Sequence, residues 1–319
     1  MQKQASYIVI YYPKIIIKQI QIILLLVLFS VKGSSQSKIA ITIDDVPNHT
    51  STQHLYTELD KLKIPICIFI NEGRPLRDSS KTTVNEFLSQ WAKRKYVTFG
   101  NHTFNHLRYS DVGFDSFKND ITKGEVITKS VVTLKNKKLK YFRFPYNDLG
   151  NDSISQSKIK QFISSRGYII APFTVESIDW MYNFLYEKFL ALNDSINADK
   201  IGQAYVHKTM EYISHFEKLS FELWGRNINH IYLCHDNRIN VKFLPIIISK
   251  IKSKNYKLIS LEEALKDKIY KNKNFYNKKW GISWMYRWIE SSEKRKTLMK
   301  SEPSVEDVEK MYNELQKKN

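Results

Sequence analysis

From Lys38 to about Lys266 the chain alternates short apolar runs with longer amphipathic stretches, and this rhythm restricts the fold more than any other feature. The apolar runs Ile39–Ile43, Pro65–Ile70, Tyr96–Phe99, Lys140–Phe144, Tyr168–Ala171 and Ile231–Cys234, with a weaker one near Leu258, have the length of buried strands. Between them Thr52–Lys63, Thr83–Lys93, Phe114–Lys135, Ile154–Ser165 and Val241–Ser253 carry helical spacing. Strands alternating with helices define an α/β chain with a parallel sheet, open or closed into a barrel. Of 319 residues, 42% are hydrophobic, enough for a large core, which excludes a disordered or collagen-like chain.

Two regions break the rhythm. Residues 183–225 predict two or three helices inserted before the strand at Ile231, and residues 270–319 form a basic, Trp-rich tail. A terminal helix is expected to begin at Ser304-Val305-Glu306-Asp307, a capping pattern. The first 35 residues hold Lys3, Lys14, Lys18 and Lys32, no acidic residue, and an apolar run from Ile22 to Phe29. That run is too short to span a bilayer, which takes about 20 apolar residues. With Gly33 and Ser35 beyond it, residues 1–35 predict a signal peptide cut before Gln36, hence an exported protein with its main domain over 36–269.

Without those four lysines the chain keeps 46 basic and 32 acidic residues, a net charge of +14. The basic runs, Lys135–Lys140 and Lys266–Lys279, suit an anionic cell-wall or membrane surface. No nucleic-acid module pattern is present, so no specific nucleic acid is expected. Cys67 and Cys234 lie in apolar runs and predict buried, inert thiols. The glycines do not have the spacing of a dinucleotide or P-loop motif, and there is no Gly-x-Ser-x-Gly elbow, which removes support for phosphate cradling and serine-hydrolase chemistry.

What remains is a series of polar clusters, each at the end of a strand. Asp44-Asp45-Val46-Pro47 follows the first. Alone, a double Asp before Pro is more often a turn, but buried carboxylates need a cation or an arginine. His102 and His106, four residues apart, would share one face of a helical turn and can hold one metal. Together with the Asp-Asp pair they suggest a two-His, one-carboxylate site. Arg143-Phe144-Pro145-Tyr146 offers a guanidinium that can keep a carboxylate ionised. The last two clusters are Glu176-Ser177-Ile178-Asp179-Trp180 and Leu233-Cys234-His235-Asp236. Strand alternation puts Leu233 and His235 on one face, an apolar wall beside an imidazole, with Cys234 and His230 on the other.

These five clusters, in this order, resemble the polysaccharide deacetylase family, carbohydrate esterase family 4, over about Lys38–Lys266. The resemblance implies a distorted parallel (β/α) barrel and metal-dependent removal of N- or O-acetyl groups from an acetylated polysaccharide such as peptidoglycan or chitin-like oligomers. Carried over by position, it implies Asp44 as general base and Asp45, His102 and His106 as metal ligands. Arg143 would orient Asp44, and the Tyr146 backbone N–H would help hold an oxyanion. Asp179 would orient His235, the general acid, while Trp180 and Leu233 would line the acetyl pocket. The donor set favours zinc, with cobalt, nickel or manganese also fitting. Val46 stands where the family usually has Gly and is expected to narrow or reshape the groove; Glu176 replaces a frequent Asp. Intact Asp44 and His235 argue against a non-catalytic glycan-binding protein on this fold. A different exported metal-dependent hydrolase, such as a phosphoesterase, would want a richer ligand set. Asn101-His102-Thr103 matches a glycosylation pattern that is expected to stay unmodified, because a glycan there would block the site.

Overall fold

In the computed structural model, the described residues are 36–48, 51–74 and 81–317; the expected signal peptide lies outside them. The strands are β1 (Lys38–Val46), β2 (Ile66–Ile70), β3 (Val97–Asn101), β4 (Leu139–Phe142), β5 (Ile169–Ile170), β6 (Val175–Glu176), β7 (Asn229–His235) and β8 (Lys257–Ile259). The helices are α1 (Thr52–Leu62), α2 (Lys81–Ala92), α3 (Tyr109–Lys123), α4 (Val126–Thr133), α5 (Ser153–Ser165), α6 (Asp179–Ala191), α7 (Ser195–Trp224), α8 (Arg238–Ser253), α9 (Leu261–Ala264), α10 (Trp284–Arg287), α11 (Ser292–Met299) and α12 (Glu306–Gln316). No described helix is long and apolar enough to cross a membrane.

All strand pairs are parallel, in the order β5-β4-β3-β2-β1-β7-β6, with β8 against the first residues of β1. Among the described residues β5 and β6 do not pair with each other, so the sheet is a curled half-barrel and the expected distorted barrel is borne out. β2 is a continuous apolar run, and β1 is buried from Ile39 to Val46, because each is covered on both faces. Outside the curl, Ile39, Ile41 and Ile43 pack with Leu55, Leu59, Ile247 and Ile251 of the helical layer. Each such side chain contributes about 1.5–3 kcal/mol on burial.

The stretch expected as one helix over Phe114–Lys135 is two, α3 and α4, broken around Gly124. The reason is remote in sequence: the Glu72 carboxylate accepts from the Ile127 and Thr128 N–H groups, at 3.1 and 2.7 Å, and so supplies the start of α4. The inserted stretch is α6 and the 30-residue α7, which ends at Gly225 in the left-handed region (φ 66°). At the far end α12 starts one residue later than the capping pattern suggested: Val305 is the cap residue, and Ser304 Oγ accepts from the Glu306 N–H at 3.3 Å. Cys67 and Cys234 are free and buried, as expected.

Candidate active site

Side chains alternate faces along a strand. On β1, Ala40, Thr42 and Asp44 therefore share a face, as do Cys67 and Phe69 on β2 and Ile231, Leu233 and His235 on β7. Ala40, Cys67, Phe69, Tyr141 and Ile231 pack as a buried cluster. Asp44, Leu233 and His235 continue the same faces at the C-terminal strand ends, where they line one cavity. Gly100 of β3 allows the close packing: a Cβ there would lie 2.3 Å from the Phe69 ring.

Alternation alone would send Asp44 and Asp45 to opposite faces. The β1–β2 register slips between Ile43 and Val46, leaving two residues opposite one, and Asp45 takes φ 64°. This bulge lets both carboxylates reach the cavity. Val46, one residue on, is 1% exposed within the hydrophobic core. The expected effect of Val46 on the groove is therefore corrected: its side chain supports the strand and does not line the cavity.

His102 and His106 do come together, their ring centroids 4.9 Å apart, but not on a helical turn as expected. They flank a tight loop after β3 in which Thr103 and His106 have φ 67° and 59°. Side chains wind this loop: Asn101 Oδ1 accepts from the Thr103 N–H at 2.7 Å, Thr103 Oγ1 from the His106 N–H at 3.1 Å, and the Asp120 carboxylate from the Asn105 N–H at 3.0 Å. Asn101 is buried, and its Nδ2 donates to the Ile121 carbonyl at 3.0 Å, so it cannot accept a glycan in the folded chain.

One ligand atom each from Asp45, His102 and His106 lies within 4.8 Å of the others. His102 Nδ1 is 2.9 Å from the Arg143 carbonyl, so Nδ1 carries the proton and Nε2 offers a lone pair. Asp45 Oδ1 is 3.6 Å from His102 Nε2 and 3.3 Å from His106 Nε2, and it is buried without a hydrogen-bond partner. Burial pushes His106 down to about 3 against the pull of Asp45, keeping the imidazole neutral. Burial would raise Asp45, but His106, Arg74 and His102 hold it well below the usual carboxylate range. An orphaned carboxylate oxygen facing two imidazole nitrogens fits a divalent cation. Arg74, which sequence reasoning missed, pairs with the other oxygen, Nη1 to Oδ2 at 2.8 Å.

Beside this cluster Arg143 is fully buried. Its Nη1 donates to Asp44 Oδ1 at 2.8 Å and to Thr42 Oγ1 at 2.7 Å, while Nη2 donates to the Pro172 carbonyl at 3.1 Å. Across the cavity His235 Nδ1 lies 2.6 Å from Asp179 Oδ1, leaving Nε2 as the ring's other nitrogen. Asp179 Oδ2 also accepts from the His235 N–H at 2.7 Å and from Asn240 Nδ2 at 2.7 Å. Tyr205 of α7 donates to Asn240 Oδ1 at 2.8 Å, so the inserted helix buttresses the pair. Burial opposes the charge on His235, but the Asp179 carboxylate overrides it and lifts the ring to about 10. Burial would likewise raise Asp179, yet the His235 ring holds it below the ordinary value. His230 is elsewhere: fully buried, bound to Thr174 and Asn227, and pushed by burial down to about 3.

The cavity is about 650 Å³, within the range of small-ligand sites, roughly 300–1,000 Å³. It gathers every site residue named from the sequence except Arg143 and Asp179, which stand behind Asp44 and His235. Tyr146 (φ 56°) sits in a 3-10 turn with its ring between His106 and the Arg108 guanidinium, 4.7 and 4.0 Å away between centres. Trp180 is braced edge-on by Tyr312 of α12. Glu176, which burial raises to about 7, lies on the same wall. Trp280 and Gly281 of the tail complete the rim.

The fold and site define a parallel half-barrel with an Asp-His-His cluster, a held carboxylate and a carboxylate-bound imidazole at its C-terminal edge. A family model described as polysaccharide deacetylase matches residues 32–162, which carry the first three of the five clusters. The peptidoglycan-N-acetylglucosamine deacetylase of Bacillus cereus is 24% identical over 146 residues, 46% of this chain and 47% of that one. The chain thus aligns with about half the length of this curated relative. A polysaccharide deacetylase structure from Bacillus cereus superposes with TM-score 0.51 at 16% identity, covering 70% of this chain and 92% of that one. A pseudoenzyme of carbohydrate esterase family 4 from Bacillus anthracis gives 0.50 at 15%, covering 73% and 66%. At these identities the structural likeness shows the fold. The resemblance to the polysaccharide deacetylase family that the motifs implied is shown.

Proposed function

We propose that the protein is a metal-dependent hydrolase that removes acetyl groups from an acetylated polysaccharide, with peptidoglycan or chitin-like oligomers as its substrate class. One observation carries the reading: the Asp45–His102–His106 cluster, the Arg143-held Asp44 and the Asp179-held His235 converge on a single cavity. Asp45, His102 and His106 would hold the cation, zinc by first preference, with cobalt, nickel or manganese suiting the same donors. When bound, such a cation polarises an acetyl carbonyl and acidifies water.

The chain's own residues do the rest. Asp44, aimed by Arg143, takes the proton of the attacking water. The Tyr146 backbone N–H supports the oxyanion. His235, charged beside Asp179, gives a proton from Nε2 to the departing group, while Leu233 and Trp180 wall the acetyl methyl. We further propose export after loss of residues 1–35, with the basic runs favouring an anionic cell-wall or membrane surface.

The test is acetate release from peptidoglycan, N-acetylglucosamine oligomers and acetylxylan, with metal content measured on the same sample. Release from at least one is expected. Metal-replete protein that releases acetate from none would overturn the proposal.

A further inference from the structure

The tail segment from Asn274 to Arg287 lies across the open side of the half-barrel. The Trp284 N–H donates to the Phe173 carbonyl at 3.0 Å and Ser283 Oγ to the Thr174 carbonyl at 2.8 Å, in the gap between β5 and β6. Tyr276 is tied to α5, its carbonyl accepting from Gln156 Nε2 at 3.2 Å. Gly281 presses on the Tyr146 turn so closely that a Cβ would lie 2.0 Å from the Tyr146 carbonyl oxygen.

One side chain fastens this strap to the site. Arg287 is fully buried, and its Nη2 donates to the carbonyls of Asn147 and Trp280, at 3.0 and 3.1 Å, while Nε donates to that of Ile282 at 3.3 Å. The carbonyls of Trp280 and Ile282, on either side of Gly281, and that of the residue after Tyr146 thus share one guanidinium. Trp280 itself, held by its backbone, keeps its indole 65% exposed at the cavity rim. The bonds of the strap fix the backbone that carries this indole, and the ring stays open to solvent at the cavity rim. Trp180 and Tyr146, 45% and 48% exposed, line the same cavity, together with the amide side chains of Asn48, Asn147 and Asn183.

We propose that Trp280 is a sugar-stacking residue: the strap presents its indole to a pyranose ring of the glycan, next to the acetylated sugar. This rests on the deacetylase reading. A pyranose turns an apolar, C–H-lined face to an aromatic ring and its hydroxyls outward, the complement of an indole beside amide groups. Arg287 is a positioning residue that acts through the strap. The strap lies outside residues 32–162, so the family match assigns it no role.

The experiment measures binding of tetra-N-acetylchitotetraose to the metal-free full chain by calorimetry, and acetate release from the same oligomer by the metal-replete chain. For W280A, dissociation constant and KM are expected to rise about tenfold, as the loss of one aromatic contact implies, and W280F should restore most of both. Wild type that binds and releases acetate, with W280A matching it in both constants, would overturn the sugar-stacking role and leave the deacetylase reading standing. Wild type that neither binds the oligomer nor releases acetate from any acetylated glycan would overturn both.

Discussion

Arg143 Nη1 lies 2.8 Å from Asp44 Oδ1, and neither side chain has more than 2% of its surface open to solvent. A pair so enclosed has no water to replace a lost partner. R143M should therefore destabilise the fold by about 3–5 kcal/mol, the usual cost of leaving one buried charge unpaired. Urea unfolding of the variant would read this as a lower midpoint at unchanged slope. R143K should recover part of it, because an ammonium cannot reproduce the guanidinium's bonds to Asp44, Thr42 and Pro172.

Metal content separates ligands from bystanders. H102A and H106A should each lose most of the bound cation. H230A should keep it, because His230 is engaged by Thr174 and Asn227 away from the cavity. Elemental analysis of the purified variants decides, and stoichiometric metal in both H102A and H106A would remove the ligand assignment.

Adjacent carboxylates should have separate roles. D45A should weaken metal binding, because Asp45 Oδ1 is the oxygen that faces both imidazoles. D44N should retain metal while kcat falls by roughly 10²–10⁴, the range for one acid–base group. Metal lost in D44N and kept in D45A would reverse the two roles.

The His235–Asp179 pair fixes the sign of the pH response. A general acid works while protonated, so activity should fall as pH rises through the His235 pKa, which Asp179 raises against burial to about 10. Neutralising the nearby Asp45 with a bound cation places the limb below that value. In D179N the ring loses its negative neighbour, and the alkaline limb should move to lower pH. H235A should abolish the limb and lower kcat with metal content unchanged. A limb that stays in place in both variants would make His235 a structural residue.

How much of this was legible in sequence follows from how local each cause is. The strands and the five clusters were readable because each cluster directly follows an apolar run, as Asp44 follows Ile39–Ile43 and His235 follows Ile231–Cys234. The parity of Leu233, Cys234 and His235 also needs only neighbouring residues. The β1 bulge that turns Asp45 inward, the loop that replaces the expected helical turn at His102–His106, and the break before α4 depend on backbone conformation or on partners such as Glu72, some 55 residues away. Arg74 and Asn240 carried no motif, and their places at Asp45 and Asp179 come from tertiary contact alone. Exposed aromatics in the tail were visible as composition, but only the Arg287 contacts show which indole the fold delivers to the cavity.

The central claim is that this cavity performs metal-dependent deacetylation. Its most direct test follows acetate release from an N-acetylglucosamine oligomer by one preparation in three states: as purified, after chelation, and after one equivalent of zinc is returned. The expected result is activity that disappears with the metal and returns in proportion to zinc bound, in wild type but not in H102A. Acetate release that persists after the metal is gone, or that never occurs in the zinc-loaded chain, would contradict it.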